Sequence, residues 1–155
     1  MPTSQLVSIL IPAFNAQKWI RQTVESALAQ TWPEKEVVIV DDGSTDATPR
    51  IVREYGSEAI RVVTQPNQGG SAARNHAFRL SKGDYIQWLD ADDLLAPDKI
   101  ARQMATAASG PAGTAALTGA FGLFRYRVDK ARFIPNALWQ DLSPIDWLLE
   151  STAGN

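Results

Sequence analysis

Three aspartates, Asp90, Asp92 and Asp93, fall within four residues, and the window from Asp84 to Asp98 holds five acids without one Lys or Arg. An even spread of the chain's 17 acids would place about 1.6 in such a window. Carboxylates this close repel one another unless a cation or well-placed donors compensate. A hard divalent ion, Mg²⁺ or Mn²⁺, would compensate; it typically takes one or two protein carboxylates and fills its other positions with water and phosphate oxygens. The pattern points to a diphosphate ligand held through a divalent metal. The alternative is a solvated turn that caps a helix near Pro97. An EF-hand is excluded: counted from Asp90, its required Gly and Glu positions hold Leu95 and Ala101.

Two further segments could bind a nucleotide. Asp41-Asp42-Gly43-Ser44 follows an apolar run, where a carboxylate can accept a hydrogen bond from a base or ribose; turn chemistry alone also explains Asp-Gly-Ser. Gly69-Gly70-Ser71 opens a helical pattern whose free N–H groups suit an anion, and Arg74 can add a charge-assisted bond to phosphate. The bland reading there is a flexible loop with an arginine on a solvated face. His76 reads as a partly buried packing residue, and Trp88 as core. Trp19, Trp32, Trp139 and Trp147 are open between packing and acceptor contact. Neither a G-x-G-x-x-G after the first strand nor a G-x-x-x-x-G-K-[ST] is present, which disfavours a dinucleotide fold and a P-loop nucleotidase.

Composition narrows the field. The 155 residues contain no Cys, which removes disulfide scaffolds, zinc ribbons and thiol catalysis, and one His, which removes His-rich metal cages. Fifteen Lys and Arg against 17 acids leave a net charge of −2, so nucleic-acid binding is disfavoured. The apolar run from Leu6 to Ile11 is too short for a signal-peptide core or a transmembrane segment, and the sequence reads as cytoplasmic. The length suits one domain burying about 70% of its unfolded surface.

The elements that must position these groups alternate. Strands are expected at 6–11, 37–40, 60–64 and 85–89. Helices are expected at 15–30 with Asn15 as N-cap, from Ser44 or Thr45 to about Tyr55, from Ser71 to about Leu80, and from Asp98 to about Ala108. A further strand is expected within 114–127 and a short helix after Ser143-Pro144. Strand and helix in alternation predict an α/β domain with a mostly parallel sheet and right-handed crossovers. Ligands of such sheets bind outside the carboxyl ends of the strands, where the polar clusters stand.

Together, "VSILIPAFNA", "VVIVDDGSTDAT", "NQGGSAARNHA" and "GDYIQWLDADDLLAPDKI", in this order and spacing, resemble the N-terminal half of family 2 glycosyltransferases with the GT-A fold over roughly residues 6–104. The resemblance implies a three-layer, Rossmann-like sandwich. It also implies metal-assisted transfer of a sugar, with inversion, from a nucleotide diphosphate sugar, often a UDP-sugar, to an acceptor. Residue by residue it places Pro12, Ala13 and Phe14 on the nucleobase and ribose, Asp42 on the base with Asp41 beside it, and Arg74 near base and diphosphate. Asp90-Ala91-Asp92 or Ala91-Asp92-Asp93 matches the D-x-D signature, with Asp90 and Asp92 toward the ribose or sugar and Asp93, with Asp92, on the metal, Mg or Mn.

The family's general base is a later carboxylate, commonly in an E-D pair. The downstream acids Asp129, Asp141, Asp146 and Glu150 are each isolated. The expectation is a single GT-A-like domain that stops before the acceptor half, with 105–155 beginning the acceptor side, and a catalytic base outside this chain. Competing readings are a non-catalytic nucleotide-sugar-binding module and a sugar-nucleotide pyrophosphorylase. The latter lacks its glycine-rich first loop here, since Pro12 to Ala16 contains neither Gly nor Arg.

Overall fold

The computed structural model describes residues 5–56 and 60–109, and beyond them 122–123, 128–133 and 135. The chain divides into two compact units, 1–109 and 110–155. In the first, the elements run β1 (Val7–Ala13), α1 (Ile20–Leu28), β2 (Lys35–Asp41), α2 (Thr48–Arg53), β3 (Ile60–Thr64), α3 (Gly70–Leu80), β4 (Tyr85–Trp88) and α4 (Lys99–Ser109). In the second, β5 (Gly122–Leu123) pairs antiparallel with β6 (Arg132–Phe133), and a 3₁₀ turn spans Val128–Lys130. The rest of the strand expected within 114–127, and the helix expected after Ser143, lie outside the described residues.

The four strands of the first unit form one parallel sheet in the order β3-β2-β1-β4. Both faces of its centre are covered, so β1 and β2 are nearly continuous apolar runs rather than alternating ones. Successive side chains still point to opposite faces. Ile9, Ile11, Val37 and Ile39 pack with Ile20, Val24 and Ala27 of α1, Ile51 and Val52 of α2, and Ile100 and Met104 of α4. Leu10, Val38 and Val40 pack with Ala73 and Ala77 of α3 on the other face. Two small residues at a spacing of four let α3 lie close on the sheet. The result is the expected three-layer α/β sandwich.

The helix starts differ from expectation. Asn15 is not an N-cap: it takes a left-handed conformation, φ 48°, which Asn tolerates, and α1 begins only at Ile20. Its Oδ1 accepts from the Thr45 N–H at 2.9 Å, and its own N–H donates to Ser44 Oγ at 2.9 Å. Ser44 and Thr45 therefore hold the loop after β1 instead of capping α2, which starts at Thr48 behind the Asp46 carboxylate, an acceptor for the Thr48 N–H at 2.8 Å. The Gln17 N–H donates to Asp46 and the Ala47 N–H to Gln17 Oε1. Trp88, expected in the core, is 43% exposed at the end of β4, which is the outermost strand of this sheet among the described residues.

The buried stitch in this loop pair is Thr48, whose Oγ1 accepts from the Ala16 N–H at 2.8 Å. Thr48→Val keeps the shape and leaves that buried N–H unpaired, a loss expected to be about 1–3 kcal/mol. Urea unfolding should show a lower midpoint at unchanged slope.

Candidate functional site

The carboxyl ends of β1, β2 and β4 meet in one cleft of about 350 Å³. Its walls include Pro12, Ala13 and Phe14 from the end of β1, Asp42 beyond β2, Gly70 and Arg74 at the start of α3, and Asp90 and Asp92 beyond β4. The sequence-predicted groups thus converge, apart from two. Asp93 instead lines a neighbouring depression with Trp88, which shares Arg74 and Asp90 with the cleft. Asp41, fully buried, is absent from both linings. Trp19, which the sequence left open, lines the cleft and is 38% exposed, and Phe14 is 51% exposed. Two aromatic faces open to solvent in a polar cleft suit a planar, stacking ligand.

Strand alternation separates the adjacent acids. Asp41 continues the face of Val37 and Ile39, and Asp42 the face of Val38 and Val40, on which α3 lies. Asp42 is 2% exposed and gathers the loop that precedes α3. Its Oδ1 accepts from Gln65 Nε2 at 2.7 Å and from the Gln68 N–H at 2.9 Å, and its Oδ2 from the Gly69 N–H at 2.8 Å. Burial works to raise its carboxyl, but the Gln68, Gln65 and Gly69 donors outweigh it and hold the group below the usual carboxylate range. The turn between needs glycine: Gly43 has φ 72°, and a Cβ there would stand 2.7 Å from the Asn67 nitrogen. Asp41 is less well served. Its Oδ1 accepts from the Ser44 N–H at 3.4 Å, and its buried Oδ2 has no partner among the described residues.

The acid turn after β4 is anchored on α1. Thr23 Oγ1 donates to the Ala91 carbonyl at 2.9 Å, and Ser26 Oγ accepts from the Leu95 N–H at 3.2 Å. Arg74 pairs with Asp90 at 2.5 Å, both partners about half exposed. Among the described residues, neither Asp92 nor Asp93 has such a partner. Partial burial, then the charges of Asp92 and Asp90, push the Asp93 carboxyl above the usual range. No group of three or more acids or histidines converges on a common point among the described residues. The arrangement suits an ion that takes one or two carboxylates and completes its shell elsewhere.

Sequence reading missed Gln65; His76 is partly buried, as expected. Gln65 is buried beside Asp42, and its Oε1 lies 2.7 Å from Nδ1 of the half-buried His76. A polar side chain directly after a strand end was the available signal.

The model of the family described as "Glycosyl transferase family 2" matches residues 8–141. Chondroitin synthase of Escherichia coli is 50% identical over 97 residues, 61% of this chain and 14% of that protein. The structure of S. aureus TarS in complex with UDP-GlcNAc superposes with a TM-score of 0.63 at 31% identity, covering 67% of this chain and 31% of that one. Mannosyltransferase PcManGT from Pyrobaculum calidifontis, in complex with GDP-Man and Mn²⁺, gives 0.62 at 30% identity over 66% and 32%. In each case the chain spans less than a third of the relative's own length. No helix among the described residues is long and apolar enough to cross a membrane.

Asp42→Asn tests the loop anchor. A carboxamide has one acceptor oxygen for donors that approach both carboxylate oxygens, so an N–H is left unpaired, at an expected cost of about 1–3 kcal/mol. Because the folded-state pKa of Asp42 is depressed, its contribution is complete above the unfolded value of about 3.9 and is lost as pH falls through the lower folded value. Urea unfolding of the wild type should weaken on that acid limb, and the Asn variant should show a shallower one.

Proposed function

Because the chain belongs to glycosyl transferase family 2 and has the GT-A fold, we propose that its cleft binds a nucleoside diphosphate sugar, with uridine as the nucleoside, for transfer of the sugar to an acceptor. The observation that carries this reading is the convergence in one cleft of two exposed aromatics, a buried carboxylate held below its usual range by its donors, a helix start with Arg74, and an acidic turn. Phe14 and Trp19, with Pro12 and Ala13, would contact base and ribose, and Asp42 would accept from the base with the capacity its Oδ2 has left. Asp41, turned to the other face of the sheet, stays behind this wall.

The diphosphate would then lie between Arg74 and the acidic turn. The residues present fit a divalent cation, Mg²⁺ or Mn²⁺: among the described residues the raised Asp93 carboxyl beside Asp92 has no compensating charge, whereas Asp90 has Arg74. When bound by Asp92 and Asp93, such an ion supplies Lewis-acid stabilisation of the charge on the leaving diphosphate. The transfer itself breaks the bond between the anomeric carbon and the phosphate oxygen. The acceptor oxygen attacks from the opposite face, hence inversion, and a base takes the hydroxyl proton. Acceptor and base are assigned to no described residue. The binding of UDP-GlcNAc by TarS and of GDP-Man with Mn²⁺ by PcManGT supports the donor class and the metal.

Titration calorimetry with UDP and GDP, with and without Mn²⁺, tests this. UDP with Mn²⁺ is expected to bind at micromolar to millimolar concentration. Asp93→Ala should weaken that binding at least about tenfold, a loss of about 1.4 kcal/mol or more, and leave the metal-free value unchanged. Binding of neither nucleotide at millimolar concentration, or indifference to metal, would contradict the proposal.

A further inference from the structure

A hydrogen-bonded relay runs from the cleft wall into α3. Gln65, 8% exposed, donates from Nε2 to Asp42 Oδ1, and its Oε1 meets His76 Nδ1, both at 2.7 Å. The two ends of a glutamine amide are not equivalent: the nitrogen only donates and the oxygen only accepts. The Asp42 carboxylate is an acceptor, so it requires the amide nitrogen on its side. The amide oxygen is thereby turned to His76, whose Nδ1 must carry the proton. The reverse amide orientation would set oxygen against carboxylate and withdraw one of the three donors that hold Asp42 ionised.

We propose that His76 is a positioning residue of the donor site: by donating from Nδ1 to Gln65 Oε1, it fixes the amide orientation that aims Asp42 at the nucleoside. His76 is not among the residues lining the cleft, so it acts through Gln65. The link also ties α3 to the loop after β3 from a second side, since Arg74 faces the cleft from the same helix. This inference rests on the reading of Asp42 as a nucleoside-binding carboxylate, and the experiment separates the two.

His76 is the chain's one histidine, so a long-range ¹H–¹⁵N spectrum of the imidazole needs no assignment. At about pH 8 the neutral ring should carry its proton on Nδ1, with an unprotonated Nε2. A ring protonated on Nε2 would overturn the proposal whether or not any nucleotide binds. Two variants then separate positioning from packing, with melting curves verifying that each folds. His76→Asn places a side-chain N–H near the lost Nδ1 donor and should keep the UDP dissociation constant within about twofold, whereas His76→Leu fills the space without a donor and should weaken UDP about five- to tenfold. Equal or better binding by the Leu variant would mean that His76 only packs. A wild-type chain that binds no UDP while its ring shows the Nδ1 proton would overturn the donor reading and leave the Gln65 relay standing.

Discussion

The Asp42 carboxylate, 2% exposed at the end of β2, takes N–H bonds from Gln65, Gln68 and Gly69. A buried charge of this kind is tolerable only while its donors are in place, so the donors and the charge define each other. The loop between β3 and α3 has no regular structure of its own, and these bonds set where it lies. Gly69 leads directly into α3, so Asp42 also sets where that helix starts and where Arg74 stands relative to the acidic turn. A salt bridge between half-exposed side chains, such as Arg74 with Asp90, contributes little stability by itself. Its place in the cleft follows from the buried anchor at the other end of the loop.

The same economy governs the other walls. The loop after β1 is stitched to the loop after β2 by bonds involving Asn15, Ala16 and Gln17 on one side and Ser44 to Thr48 on the other. The acidic turn hangs on α1 through Thr23 and Ser26. Each loop is thus tied to an element packed on the sheet. Phe14, Trp19 and the aspartates can remain exposed in the cleft because other residues hold the backbone beneath them.

The layered fold was legible from apolar runs and their spacing, because the buried strands β1 and β2 must be apolar and α1, α3 and α4 must present one apolar face to the sheet. The converging site residues were legible for the same reason: the carboxyl ends of parallel strands lie side by side. Local polar chemistry was not. Asn15, Ser44 and Thr45 have the composition of helix caps, yet they bond across 29 or 30 residues, a pairing that no local pattern encodes. Trp88 has the composition of a core residue and is nevertheless 43% exposed. Gln65 has no charge, its one mark in the sequence is its place directly after β3, and only the burial of Asp42 beside it makes its amide orientation matter.

The central claim is that the cleft at the carboxyl ends of β1, β2 and β4, with Asp42 as its anchor, is a nucleoside diphosphate site. A backbone ¹H–¹⁵N correlation titration with UDP and Mg²⁺ tests it most directly. The amides of Ala13 to Ala16, Asp42, Gln68 to Arg74 and Asp90 to Asp93 should shift together and saturate with one dissociation constant, while those at the amino ends of the strands, such as Val7 and Lys35, stay in place. Shifts centred on the amino ends, or none in the cleft at saturating UDP, would contradict it.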